Sequence, residues 1–264
     1  MREAEIVKEM EKRYPDAEIS IQEVVKAGET KRGLTIREAG CNVAPNIYLR
    51  DFEKFTVEEA CDEIQRIYEQ YKPSKGIDIS WYTDFENVKD KVFVKLVNTE
   101  RCAEYLEGKP SIPFLDLSIV FYVVITSDEI GKGSITVTEE HMKAWGVDAN
   151  TLYDLAKNNM EIDTQDLGEF VAGFPAGKMQ IVSNKERWNG AGVLPISLDM
   201  LKEKFGKFYI LPSSIHEVIC IPADGVEDKA YLDEMVRDTN RTMVEPSDQL
   251  ADHAYYFNGE CLEV

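Results

Sequence analysis

The sequence predicts an α+β protein, with mainly antiparallel sheets, helices packed on them, and two closely packed lobes. Three observations carry that expectation. Short apolar runs are joined by tight turns, as hairpins require. Helical stretches with their own start and stop signals lie between those hairpins. The 264 residues, 44% hydrophobic and 30% charged, suffice for a sizeable core in one large domain or two smaller lobes.

Taken in order, residues 4–14 place Ile6, Val7 and Met10 on one helical face, and Pro15 with Asp16 ends that helix. Ile19 and Ile21 then alternate as a strand. A turn over residues 28–33 returns the chain through Leu34, Thr35 and Ile36. Residues 47–49 form a third short strand. Thr56 and Glu59 form a capping box, in which each side chain bonds the other's backbone N–H. Val57, Ala60, Cys61, Ile64, Ile67, Tyr68 and Tyr71 follow as one apolar stripe, stopped by Pro73. Thr83 and Glu86 repeat the capping pattern. Residues 92–97 fit a continued helix or a strand, and residues 99–106 read as helix.

Gly108, Lys109, Pro110 and Pro113 mark the expected boundary between lobes 1–108 and 109–264. A long β-rich run over 114–126 then turns at 127–133 and returns through 134–137. Helices are expected at 139–145 and at 149–159, the second capped by Asp148. Residues 160–177 have weak periodicity and read as a connector. In the last third, strands are expected at 179–182, 190–194, 209–211 and 218–221. Helices are expected at 199–205 and 227–241, and an edge strand at 254–257.

The charge is lopsided. Asp and Glu number 49 against 30 Lys and Arg, a net of −19. Such a surface repels phosphate backbones, which argues against direct nucleic-acid binding. It suits solubility, and it suits docking on a basic protein partner. The five cysteines Cys41, Cys61, Cys102, Cys220 and Cys261 are widely spaced and form no CxxC, which reads as reduced thiols in a cytoplasmic protein. The longest apolar run, residues 117–125, is too short for a bilayer span of about 20 residues, so no membrane association is expected.

The turn Ser213-Ser214-Ile215-His216-Glu217 has the residue types of nucleophilic catalysis. A serine needs an imidazole within reach, and the imidazole needs an orienting carboxylate. Sequence neighbours seldom point at one another in a turn, and no GxSxG elbow is present, so a polar hairpin turn is the plainer reading. Asp116 is a further candidate acid, standing in an otherwise apolar strand where a carboxylate must be paired or bonded to backbone amides. Asn184, Arg187 and Trp188 form a candidate contact loop for a partner. The three histidines His141, His216 and His253 stand in no HExxH or HxH pattern, so no metal site is expected. Residues 173–179 depart from a phosphate loop in glycine spacing, with Met179 in place of Ser or Thr, and no cofactor is expected.

Several blocks carry a resemblance to a known family. They are GLTI at 33–36, NVAPNIYL at 42–49, DISWYTDF at 78–85, LVN at 96–98, PFLDLSIVFY at 113–122, HMKAWG at 141–146, VSN at 182–184, residues 209–222, and MVRDTN at 235–240. Over residues 17–256 the chain resembles the uncharacterised bacterial family called domain of unknown function 5688. The resemblance implies a bacterial cytoplasmic origin. It carries over no catalytic residue. The function expected is a non-enzymatic binding or interaction protein with an acidic surface. The alternative is a hydrolase or metal-assisted enzyme using Ser213, Ser214, His216 and Glu217.

Overall fold

A computed structural model of the chain describes residues 2–26, 29–73, 75–127, 131–169, 177, 179–226 and 228–264. It opens with helix α1 (Arg2–Arg13), which buries Ile6 and Met10. Strands β1 (Ala17–Lys26) and β2 (Glu29–Glu38) pair antiparallel along their whole length. β3 (Asn46–Tyr48) joins the other edge of β2 and covers only Gly33 to Thr35. Gly33, expected in the turn, is a strand residue. The Asn46 side chain fills the space where a Cβ would stand, with Oδ1 only 1.9 Å from that position.

After a 3-10 turn at Leu49–Phe52 comes α2 (Val57–Tyr71), opened by the expected Thr56–Glu59 capping box. Ala60, Cys61, Ile64 and Tyr68 are its buried residues, and they close a core with Ile6, Met10, Leu34, Ile36, Ile47 and Phe52. Complete burial of a side chain such as Ile64 contributes about 1.5–3 kcal/mol.

The next core is larger. α3 (Phe85–Val88) is capped by Asp84, whose carboxylate accepts from the Glu86 N–H at 3.1 Å. Thr83, the expected cap, donates its hydroxyl to the Ser80 carbonyl of the preceding turn instead. β4 (Val92–Asn98) settles the helix-or-strand choice, and α4 (Ala103–Leu106) is a single turn. Its start is displaced because the Asn98 side chain takes the Arg101 N–H at 2.9 Å, which makes a local turn.

β5 (Ser111–Phe114), β6 (Leu117–Ser127) and β7 (Gly131–Thr136) complete a sheet with β4. β4 pairs with one edge of β6 from Val92↔Val123 to Asn98↔Leu117, and β5, which holds Pro113, pairs antiparallel with β6 from Ser111↔Val120 to Phe114↔Leu117.

α5 (Glu139–Trp145) and α6 (Ala149–Asn159) stand where expected, with Asp148 accepting from the Thr151 N–H. The expected connector contains a strand. β8 (Ile162–Asp166) pairs with β9 (Gln180–Asn184) from Ile162↔Asn184 to Asp166↔Gln180. At a sheet edge this ladder of main-chain bonds needs no apolar alternation. Residues 170–176 and 178, which hold most of the glycine-rich loop, lie outside the described residues.

Residues 190–193 form a buried 3-10 turn in place of the expected strand, leading into α7 (Leu194–Phe205). β10 (Phe208–Leu211), β11 (Val218–Pro222), α8 (Lys229–Thr242), β12 (Tyr255–Phe257) and β13 (Leu262–Glu263) end the chain. The second large sheet has the order β13-β12-β10-β11-β9-β8, so β12 is internal, not an edge.

Strand alternation sorts residues between the sheet's two faces. Phe208, Ile210, Val218 and Cys220 enter the main core with Val94, Leu96 and Phe121 of the first sheet. Leu211 and Ile221 face the other way, with Tyr209 and Ile219 beside them, and are covered by Leu232 and Val236 of α8.

Candidate functional site

The loop between β10 and β11 is stitched into its surroundings by the main chain. The Ile215 N–H donates to the Asp248 carbonyl at 2.8 Å, and the Leu250 N–H donates to the Ser213 carbonyl at 3.3 Å. The His216 carbonyl accepts from Ser183 Oγ at 2.8 Å. Ser214 is buried and bridges Gln249, and its hydroxyl oxygen accepts the His216 N–H at 3.0 Å. That bond is a hydroxyl satisfying a turn. The His216 imidazole faces Asp248, with Nε2 at 3.6 Å from Oδ2, while Nδ1 is buried without a hydrogen-bond partner among the described residues. Ser214 and His216 are therefore two positions apart and joined through the His216 backbone N–H, not through the ring. Glu217 is half-buried.

Asp116 lies elsewhere, at the turn between β5 and β6. Sequence placed it inside an apolar strand, bonded to backbone amides. Its side chain is instead 37% exposed, and it accepts the Tyr255 hydroxyl at 2.5 Å. His253 Nε2 stands 3.5 Å from its second oxygen. The Tyr255 phenol is pushed far above its usual range, first by burial and then by that carboxylate.

The contact loop has an internal task. Asn184 is buried, donates to the Trp188 carbonyl at 2.8 Å and accepts the Trp188 N–H at 3.2 Å. Arg187 and Asn189 both have positive φ, a tight backbone that this asparagine clip holds. Arg187 reaches Asp163 at 3.3 Å. The Trp188 ring packs edge-on against Tyr122, with Lys132 over its face.

His141 joins an aromatic group that sequence reading missed. Its Nδ1 accepts the Thr138 N–H at 3.1 Å and lies 3.2 Å from the Tyr82 hydroxyl, and its ring stacks on Trp145. Burial lowers its pKa below the ordinary value of 6.5. Among the described residues no three His, Cys, Asp or Glu side chains are grouped to hold a metal.

A cleft of about 770 Å³, within the usual range for ligand sites, lies where the first core meets the turn after α8. Arg2, Thr30, Lys31, Arg32, Tyr48, Asp51, Glu53, Glu245 and Pro246 are among its walls. Arg2 donates to the carbonyls of Phe52, Glu53 and Phe55. Arg32 pairs with Glu3 at 2.7 Å and lies 3.5 Å from Glu23. These residues come from four separated segments, so no local motif announces the cleft.

No helix among the described residues is long and apolar enough to cross a membrane. The model of a family described as "Family of unknown function (DUF5688)" matches residues 3–169 and 161–259. No curated protein and no solved structure matches the chain.

Proposed function

The chain belongs to this family of unknown function, DUF5688, and we propose that it is a non-enzymatic interaction protein that engages a basic partner through its acidic surface. One observation carries the reading. Among the described residues no Asp or Glu is buried, so each of these acids keeps contact with solvent, in a chain whose net charge is −19. A field of that sign attracts basic proteins over about a Debye length and speeds their encounter. The hydrolase alternative has less support, because the Ser214 hydroxyl serves the turn and the His216 ring, which faces Asp248, bonds no serine among the described residues.

The test is recovery of partners from a cell extract at about 50 mM and about 500 mM salt, which differ strongly in screening. Partners recovered at low salt are expected to be rich in Lys and Arg and to be lost at high salt. Recovery unchanged by salt would overturn the reading. A cytoplasmic bacterial setting is part of the same proposal, supported by five widely spaced cysteines with no CxxC pair.

A further inference from the structure

The apolar cores divide the chain at one place. The core shared by α1, β2, β3 and α2 takes its buried side chains from Ile6 to Tyr68, and the partly buried ones packed on it run from Val7 to Ile67. The main core takes its buried side chains from Tyr82 to Phe257. The smaller groups under α8 and around Val97 also lie wholly in that later part. Among the described residues, then, no apolar side chain of either part is packed into a core of the other. α4 comes up beside β1, yet its Tyr105 is buried with Val97, Cys102 and Val120 of its own part.

The connection shows where the division falls. Asn42, in the loop between β2 and β3, clasps Ile77 from both sides. Its Nδ2 donates to the Ile77 carbonyl at 2.9 Å, and its Oδ1 accepts the Ile77 N–H at 2.8 Å. Gly76 lies against the same loop, where a Cβ would stand 2.9 Å from the Gly40 carbonyl oxygen. The next residue is held by the other part. The Asp78 carboxylate accepts the Ser80 N–H at 2.9 Å, and its carbonyl accepts from Trp81 Nε1 at 3.1 Å. Trp81 packs on the main core. The chain therefore leaves one part and enters the other across the single link Ile77–Asp78, which lies in irregular backbone.

We propose that residues 2–77 and 78–264 are two domains that turn about the Ile77–Asp78 link. Two units with separate cores, joined by one crossing of the chain and sharing no apolar interface, move relative to one another. The cleft of about 770 Å³ is where the motion is felt. Glu245 and Pro246 come from the second domain and its other walls from the first, so turning widens or narrows it. The division falls at 77–78 and not at the 108–113 break, because β4, β5 and β6 share one sheet. The device is independent of the charge of any partner and stands apart from the acidic-surface reading.

The test uses the full chain. Ile64→Val trims the first core and Ile119→Val the main core, each by one methylene at a buried position. Scanning calorimetry is expected to show two components. Each variant should lower the midpoint of its own component by about 2 °C or more and leave the other in place. A single transition that both variants shift would overturn the proposal. The turning is read separately, from amide residual dipolar couplings of the parent in a dilute aligning medium. Rigidly joined parts share one alignment magnitude whatever their mutual orientation, and parts that turn do not. Unequal magnitudes for 2–77 and 78–264 are expected. Equal magnitudes would overturn the hinge, even beside two calorimetric components.

Discussion

The Tyr255 phenol and the Asp116 carboxylate, 139 residues apart, share a 2.5 Å hydrogen bond that ties the β5–β6 turn to an internal strand of the second sheet. The donor is fully buried and the acceptor partly solvated. Tyr255→Phe keeps the ring packing and leaves Asp116 with water as its partner. The expected loss is about 1.5–3 kcal/mol, the net worth of one hydrogen bond to a charged group, read from urea unfolding. An unchanged midpoint would show that the contact contributes nothing.

Gly190 and Gly192 are packed against backbone. A Cβ on Gly192 would stand 2.3 Å from the Val94 carbonyl oxygen, and one on Gly190 2.3 Å from that of His216. Alanine at either position forces the 3-10 turn away from β4 or from the β10–β11 loop. Loss of about 3 kcal/mol or more is expected in thermal unfolding. Gly108→Ala is the comparison. Its φ is +66° but nothing lies within 4 Å of the added carbon, so the cost is the left-handed backbone alone, about 1–2 kcal/mol.

His141 makes stability depend on pH. Burial lowers its folded pKa below 6.5, so as pH falls the unfolded chain takes the proton first. Its contribution is fully present above pH 6.5 and is lost as pH falls towards the lowered folded value. His141→Gln keeps a capping-box residue at that position. The difference in Tm between parent and variant should move against the parent between about pH 7.5 and about pH 5.5. A constant difference would rule out the linkage.

The thiols should fall into two classes. Cys61, Cys102 and Cys220 are buried, and burial raises each thiol's pKa. Cys261 is exposed and Cys41 partly so. An aromatic disulfide reagent at pH 8 should react quickly with two thiols and with the other three only on unfolding. Five fast thiols would mean that the cores open readily.

Much of the fold was legible because its signals are local. The Thr56–Glu59 box, the α2 stripe, the Asp148 cap and the β10–β11 hairpin each depend on residues within a few positions of one another. Misreadings came where a distant partner decided. The 190–193 segment has the small residues of a strand but is held as a 3-10 turn by close backbone contact with Val94 and His216. β8 has polar residues on both faces and is a strand because β9 offers it a ladder. At the candidate site, sequence found Ser214, His216 and Asp116 as residue types but not their partners Asp248 and Tyr255, which arrive from the far end of the chain.

The sequence by itself determined the α+β class, the capped helices and the net −19, because periodicity, caps and charge are properties of neighbours and of sums. Tertiary structure alone decided which strands share a sheet, which candidate residues meet, and that β3 covers only three residues of β2 beside a cleft. Those outcomes depend on hydrogen bonds and burial between residues far apart in the chain, and sequence neighbours carry no record of them.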